Sequence, residues 1–216
     1  MSIIEYIADI DTKIFLALNG MHAQWLDPAM WMMTGRFFWV PLYALLLWWL
    51  YKRYQWREAT VYLLAVVLTI VIADQVCGGA LRGYIGRLRP ANPDNPISGM
   101  VHIVNGYRGG SFGFPSCHGA NSFGLAVIMS LIMKRRWFTI CIIIWALLNS
   151  YTRIYLGVHY PGDILVGATF GSLAAWGMYR LARCVIDRWI KVDKTAADSV
   201  PDSCGPRSRV GKCGRR

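Results

Sequence analysis

Residues 59–81 read ATVYLLAVVLTIVIADQVCGGAL, an apolar run whose one charge is Asp74. A helix needs about 20 such residues to cross the hydrocarbon core of a bilayer, and this stretch supplies them. Working outward, comparable runs occupy residues 28–51, interrupted only by Arg36, and residues 119–133, 137–152 and 164–179. Small and aromatic flanking residues bring each near spanning length. The expected fold is therefore all-α: a polytopic transmembrane bundle of five spans. With 216 residues, 55% hydrophobic residues, ten Trp and a positive mean hydropathy, the composition is that of a membrane protein with one domain.

Residues 2–19 form a different pattern. Ile3, Ile7, Ile10, Ile14 and Leu18 recur at helical spacing, with Glu5, Asp9, Asp11 and Lys13 between them. This segment is too polar to span and reads as an amphipathic interfacial or re-entrant helix; a sixth span is the alternative. It lacks the basic start of a cleaved signal peptide, so the first span is expected to act as the targeting signal. The chain accordingly divides into an amphipathic segment 1–27, a transmembrane domain 28–190 and a tail 191–216. Rich in Ser, Gly, Pro and charge, the tail is expected to be disordered in the cytoplasm.

A formal net charge of +11 raises nucleic acid as a partner, but the basic residues sit in short clusters between apolar runs. That distribution suits loops beside anionic headgroups and an anionic substrate, and excludes a duplex-binding face. Three clusters, Lys52/Arg53/Arg57, Lys134/Arg135/Arg136 and Arg180/Arg183/Arg188, fall on one side of the predicted bundle. The positive-inside bias makes that side cytoplasmic, in an inner membrane, and places residues 82–118 and 153–159 outside. The six cysteines carry no zinc spacing; most read as small packing residues, although Cys77 and Cys117 lie close enough in the topology for a disulfide. Gly167 and Gly171 make a GxxxG, read either as close packing within the monomer or as a dimer face.

The outer segments nonetheless carry Arg82, Arg87, Arg89, Arg108 and Arg153, against the same bias. Headgroup snorkelling accounts for one or two arginines; several converging guanidinium forks point to an oxyanion. If the second span continues helically, Arg82 and Arg89 face the same way before Pro90 ends the run. Residues 115–118, Pro-Ser-Cys-His, precede an apolar helix, whose free N–H groups favour an anion; Ser116 reads there as cap or as ligand. Residues 152–163 read TRIYLGVHYPGD. His159 and Asp163 stand one helical turn apart, so the carboxylate can hold one imidazole nitrogen and leave the other as a nucleophile, or can simply complement the helix dipole.

Together these segments resemble the type 2 phosphatidic acid phosphatase family, whose signature is K-x6-R-P, P-S-G-H and S-R-x5-H-x3-D. Here the pieces are Arg82-x6-Arg89-Pro90, Pro115-Ser116-Cys117-His118 and Thr152-Arg153-x5-His159-x3-Asp163, in the same order and with the same spacings. Three positions depart: Arg82 stands for lysine, Cys117 for glycine, with strain expected if that position needs positive φ, and Thr152 for serine. The resemblance implies that His159 attacks phosphorus to form a phosphohistidine, Asp163 orients it, and His118 protonates the leaving oxygen. It further implies that Arg82, Arg89, Arg153, Ser116 and the Cys117 amide bind the phosphate oxygens.

No carboxylate cluster suited to magnesium occurs, so neither metal nor cofactor is expected. Asp74 is expected to partner a polar or cationic neighbour. The expected substrate is a lipid phosphate or diphosphate outside the membrane: undecaprenyl diphosphate first, then phosphatidylglycerol phosphate or a lipid A phosphate. A non-catalytic anion binder or transporter is the competing class; binding alone, however, needs neither two histidines nor the His159–Asp163 spacing. The soluble vanadium haloperoxidases resemble the pocket but not this apolar chain.

Overall fold

The computed structural model describes residues 2–35 and 37–190, so the predicted tail lies outside the described residues. Every regular element among them is helical, apart from an isolated bridge between Leu88 and Phe112. In chain order the α-helices are α1 (Ile3–Gly20), α2 (Asp27–Met33), α3 (Val40–Arg53), α4 (Trp56–Asp74), α5 (Arg82–Ile85), α6 (Cys117–Met133), α7 (Arg136–Tyr155) and α8 (Pro161–Val185). A π-helical stretch, Gln75–Leu81, joins α4 to α5 into one rod, Trp56–Ile85. This rod and α7 are each long and apolar enough to cross a membrane, and α6 is a shorter apolar helix.

The run 28–51 is not one continuous helix. Its chain turns at Gly35, where a Cβ would stand 2.9 Å from the Met32 carbonyl oxygen. The Trp39 indole N–H donates to the Met33 carbonyl at 2.7 Å and fixes the corner, and Pro41 sits in the first turn of α3. At 14 residues α3 is about 21 Å long, shorter than the hydrocarbon core. An apolar run measures burial and not continuity, and here glycine and proline interrupt the helix without interrupting the hydrophobicity. The second run extends beyond residue 81 to Ile85 but does not continue helically as far as Arg89. Gly86, at φ 62°, terminates the rod at Ile85, so Arg87 and Arg89 lie on a loop and not on a continuing helix.

α4, α6, α7 and α8 enclose the main core, with Tyr62, Ala65, Ile128, Met129, Ile132, Ile142, Ala146 and Ala175 at its centre. The closest seam is α6 against α8. A Cβ on Gly167 would overlap the Ser116 carbonyl oxygen, and one on Gly171 the Ala120 carbonyl oxygen. The GxxxG is thus spent on packing inside the chain, where small residues let backbones approach and gain dispersion contacts. Because α6, α7 and α8 alternate in direction, Cys117, Arg153 and Asp163 gather at one end of the bundle, and Lys134, Arg135 and Arg183 at the other.

α1 exists as expected, opened by a Ser2–Glu5 capping box, but its protein-facing side is not the isoleucine stripe. Phe15 and Asn19 are buried, whereas Ile3 and Ile7 are 80% and 60% exposed. The side-chain amide of Asn19 explains the choice. It donates to the Ile154 and Tyr155 carbonyls at 3.0 and 2.9 Å and accepts from the His102 amide at 2.8 Å, using the acceptors left at the end of α7. α1 therefore lies against the same end of the bundle as Arg153 and Asp163.

Candidate active site

At that end α6 begins at Cys117. Ser116 is its N-cap: the hydroxyl oxygen accepts from the Gly119 amide at 3.2 Å, and the Ser116 amide donates to the Asp163 carbonyl at 3.0 Å. The cap reading of Ser116 holds, and the second bond ties α6 to the first turn of α8. Cys117 is the first helical residue and has no positive φ, so the expected strain does not arise. Cys77 and Cys117 are free thiols, not a disulfide; the Cys117 sulfur instead accepts from Arg82 Nη2 at 2.9 Å.

Arg82 also donates to the Pro115 carbonyl at 3.3 Å, which aims its Nε inward. Arg89, 6% exposed, is held by its own Nε on the Phe112 carbonyl at 3.0 Å. Two glycines make room for it. Gly109, at φ 69°, could carry no Cβ without overlapping Arg89 Nη1, and a Cβ at Gly113 would stand 3.1 Å from Arg89 Cγ. Arg153, at the end of α7, donates to the Thr34 hydroxyl at 2.7 Å, across the corner that breaks the first apolar run.

Among the described residues, six side-chain nitrogens remain buried with no hydrogen-bond partner: Trp145 Nε1 in the core and five on signature residues, Arg82 Nε, Arg89 Nη1, Arg153 Nε, His118 Nε2 and His159 Nδ1. Buried donors are ordinarily satisfied, and each such group costs about 1–3 kcal/mol. Five on the signature residues describe a site shaped for an oxyanion. His159 lies on the turn between α7 and α8 and is 2% exposed. Burial, then the charges of Arg89, Arg153, Arg82 and His118, hold its imidazole well below the usual 6.5, so the ring is neutral. Arg89 is pushed down to about 10, by burial first and then by Arg153 and Arg82, and stays charged at neutral pH.

Asp163 is fully buried in the first turn of α8. Its Oδ2 accepts from the Tyr160 amide at 2.9 Å and lies 3.5 Å from His159 Nδ1. That second distance is within ion-pair range, but the contact is no hydrogen bond, and with the imidazole neutral it is no ion pair. Both sequence alternatives for Asp163 are therefore present: it caps the helix and it faces the histidine. Its other oxygen, Oδ1, accepts from Arg87 Nη1 at 2.9 Å.

The remaining outer arginines divide. Arg87 turns away from the site to Asp163, and Arg108 donates to the Ala91 carbonyl at 2.6 Å, a loop brace. Asp74, an exposed residue, accepts from the Asn121 side-chain amide at 3.4 Å, the polar partner expected for it. Sequence reasoning missed Thr34 and Asp11 as contributors, since neither lies near the signature in the chain; Arg87 was visible only as one more outer arginine. Among the described residues no group of three His, Cys, Asp or Glu side chains is gathered for a metal ion.

A cavity of about 840 Å³ opens beside His118 and Arg153. Asn149, Asn121 and Tyr107 line its polar mouth, and Leu46, Leu50, Val66 and Met129 its deep end between α3, α4 and α6.

A helical bundle with arginine and histidine nitrogens buried and unpartnered at one end, and a largely apolar cavity beside them, is the framework of a membrane phosphatase. The model of the PAP2 superfamily matches residues 59–185, and the chain belongs to that superfamily. Its relatives include a lipid A 4'-phosphatase of Bacteroides thetaiotaomicron, 51% identical over 179 residues, or 83% of this chain and 80% of the relative. A lipid A 4'-phosphatase of Porphyromonas gingivalis is 32% identical over 186 residues, covering 86% of this chain and 78% of that one. Among solved structures, the PAP2-type phosphatidylglycerolphosphate phosphatase of Bacillus subtilis superposes with a TM-score of 0.61 at 23% identity, over 83% of this chain and 88% of its own. The chain is thus a membrane-bound lipid phosphatase, and the non-catalytic alternative falls away.

Proposed function

We propose that the enzyme removes the 4'-phosphate of a lipid A-type glycolipid at the outer face of the inner membrane, through a phosphohistidine and without a metal. The observation that carries this reading is the set of five unpartnered nitrogens on the signature residues at one end of the bundle, with a largely apolar cavity opening beside two of those residues, His118 and Arg153. Identity to the Bacteroides relative moves the substrate from the isoprenoid diphosphate favoured by the sequence to lipid A. The arrangement reads as five spans with α1 interfacial, because α1 meets only the site end of the bundle through Asp11, Phe15 and Asn19.

In this mechanism Arg82, Arg89 and Arg153 bind the phosphoryl oxygens, joined by the first-turn amide at Cys117 and the hydroxyl hydrogen of Ser116. The arginines take the place of a metal in neutralising charge as the transition state forms. His159 Nε2 donates its lone pair to phosphorus, the bond to the lipid oxygen breaks, and protonated His118 gives its proton to that oxygen. Asp163, 3.5 Å from Nδ1, stabilises the positive ring that results. Water then attacks the P–N bond, passes a proton to His118, and releases inorganic phosphate. The lipid chain lies in the cavity between α3, α4 and α6 throughout.

Detergent-purified enzyme given lipid A, undecaprenyl diphosphate and phosphatidylglycerol phosphate in excess EDTA should release phosphate fastest from lipid A. His159→Ala should be inert. His118→Ala should lose ~10²- to 10⁴-fold on the lipid and far less on p-nitrophenyl phosphate, whose leaving group needs little protonation. Activity lost in EDTA and restored by magnesium, or a phosphoenzyme trapped in His159→Ala, overturns the mechanism.

A further inference from the structure

Arg87 differs from the three arginines around His159. Its Nη1 lies 2.7 Å from Asp11 Oδ2 and 2.9 Å from Asp163 Oδ1, and its guanidinium stacks 3.8 Å from the centre of the Tyr160 ring. Two carboxylates on Nη1 and an aromatic face neutralise its charge and hold it toward Asp163 and Asp11, unlike the three arginines around His159. What it does touch is the buried carboxylate facing His159. A charge as enclosed as Asp163 needs a partner to remain ionised, and Arg87 is the cation bonded to it. Arg89 acts on the same carboxylate from the phosphate side, and His159 and the Tyr160 amide complete its surroundings.

Asp11 comes from α1, outside the segment matched by the superfamily. Besides Arg87 it accepts from the Gly162 amide at 2.8 Å through Oδ1, which caps the second residue of α8. A Cβ at Gly162 would stand 2.7 Å from Asp11 Oδ2, so the approach depends on glycine there. The contact is largely enclosed: the side chains of Asp11 and Arg87 are 12% and 26% exposed, whereas Asp9 and Lys13 on the opposite face pair at 46% and 73% exposure. Surface pairs of the second kind contribute little; a shared cation between two enclosed carboxylates fixes geometry.

We infer that Asp11 and Arg87 are positioning residues of the catalytic centre: Asp11 of α1 holds Arg87 against Asp163, and through that carboxylate the pair orients His159. The inference rests on the proposed phosphohistidine mechanism. It makes the N-terminal helix a working part of the site as well as a membrane-surface element.

The test is a double-mutant cycle on phosphate release from lipid A by purified full-length enzyme. Arg87→Gln should lower kcat about 10²-fold and Asp11→Asn about tenfold, with KM little changed, and the double variant should be no slower than Arg87→Gln alone. The acid limb of the kcat profile should move to higher pH in Arg87→Gln, because Asp163 loses the cation that keeps it ionised, and Arg87→Lys should restore part of the shift. A merely structural anchor for α1 would lower the active fraction without moving that limb. Losses that multiply in the double variant, an unmoved acid limb, or full activity in Asp11→Asn each overturn the positioning role. Failure of the underlying mechanism is separately visible, since wild type and His159→Ala would then turn over lipid A equally or not at all.

Discussion

The two sides of α6 teach opposite lessons from similar residues. Against α8 the helix is sealed: Gly167 and Gly171 bring the backbones so close that the Ser116 and Ala120 carbonyls fill the space a methyl would need. Toward α3 and α4, leucine, valine and methionine line a cavity of about 840 Å³ that stays open. Both sides are apolar, yet one is a rigid wall and the other a binding surface. In a bilayer, apolarity drives neither outcome, and side-chain volume decides which helices close. The sealed wall carries Ser116 and Asp163 in fixed register, and the open wall carries His118 and is where the proposed mechanism seats the lipid.

The comparison breaks first, and most severely, at Gly171. Gly171→Val should overpack the seam, cost about 3 kcal/mol or more, and remove activity with stability, read as a large loss of folded protein in detergent. A variant that folds and turns over normally would mean that the seam is not what aligns α6 with α8. On the open wall the expected effect is smaller and selective. Leu46→Trp narrows the cavity and should raise KM for lipid A about tenfold while leaving p-nitrophenyl phosphate hydrolysis near wild type. Equal losses on both substrates would place the lipid chain elsewhere.

The smallest effect distinguishes the walls by pH. The His159 ring, buried at the end of the sealed wall, has a folded-state pKa below the ordinary 6.5, so the unfolded chain binds the extra proton first. Stability therefore carries no penalty above about pH 6.5 and falls as the pH drops beneath it. The Tm of the wild type should decline by a few degrees more than that of His159→Asn between pH 7 and pH 5. Parallel curves for the two would show that His159 is not buried as a neutral ring.

Much of this was legible because it is local. The helices 119–133 and 137–152 appear nearly at their expected positions, since apolar length alone sets them. The spacing of Arg153, His159 and Asp163 selects the end of one helix and the first turn of the next, and Pro161 starts that turn. Where local reading failed, hydrophobicity and geometry parted company. The run 28–51 is apolar throughout but folds as two helices at Gly35, and the helix carrying Arg82 stops at Gly86, short of Arg89. The isoleucine stripe of α1 stays exposed, in keeping with an interfacial helix, but its protein-facing side could not be read from the pattern: Phe15 and Asn19 are buried there, and Asn19 supplies donors to the open carbonyls of α7.

By itself, then, the sequence determined the membrane class, most of the helices, the phosphatase signature and the set of arginines from which the site is drawn. The class and the helices follow from composition and apolar length, and the signature from the resemblance of three short motifs, in order and spacing, to a known family. Only the tertiary structure decided how those arginines divide: Arg82, Arg89 and Arg153 around His159, Arg87 between Asp11 and Asp163, and Arg108 on a loop carbonyl. Asp11 lies on α1 and Arg87 on the loop after α5, far apart in the chain, and no periodicity relates them. Their meeting depends on how α1 docks against the ends of α7 and α8, a matter of which buried donors and acceptors must be satisfied once the bundle has closed.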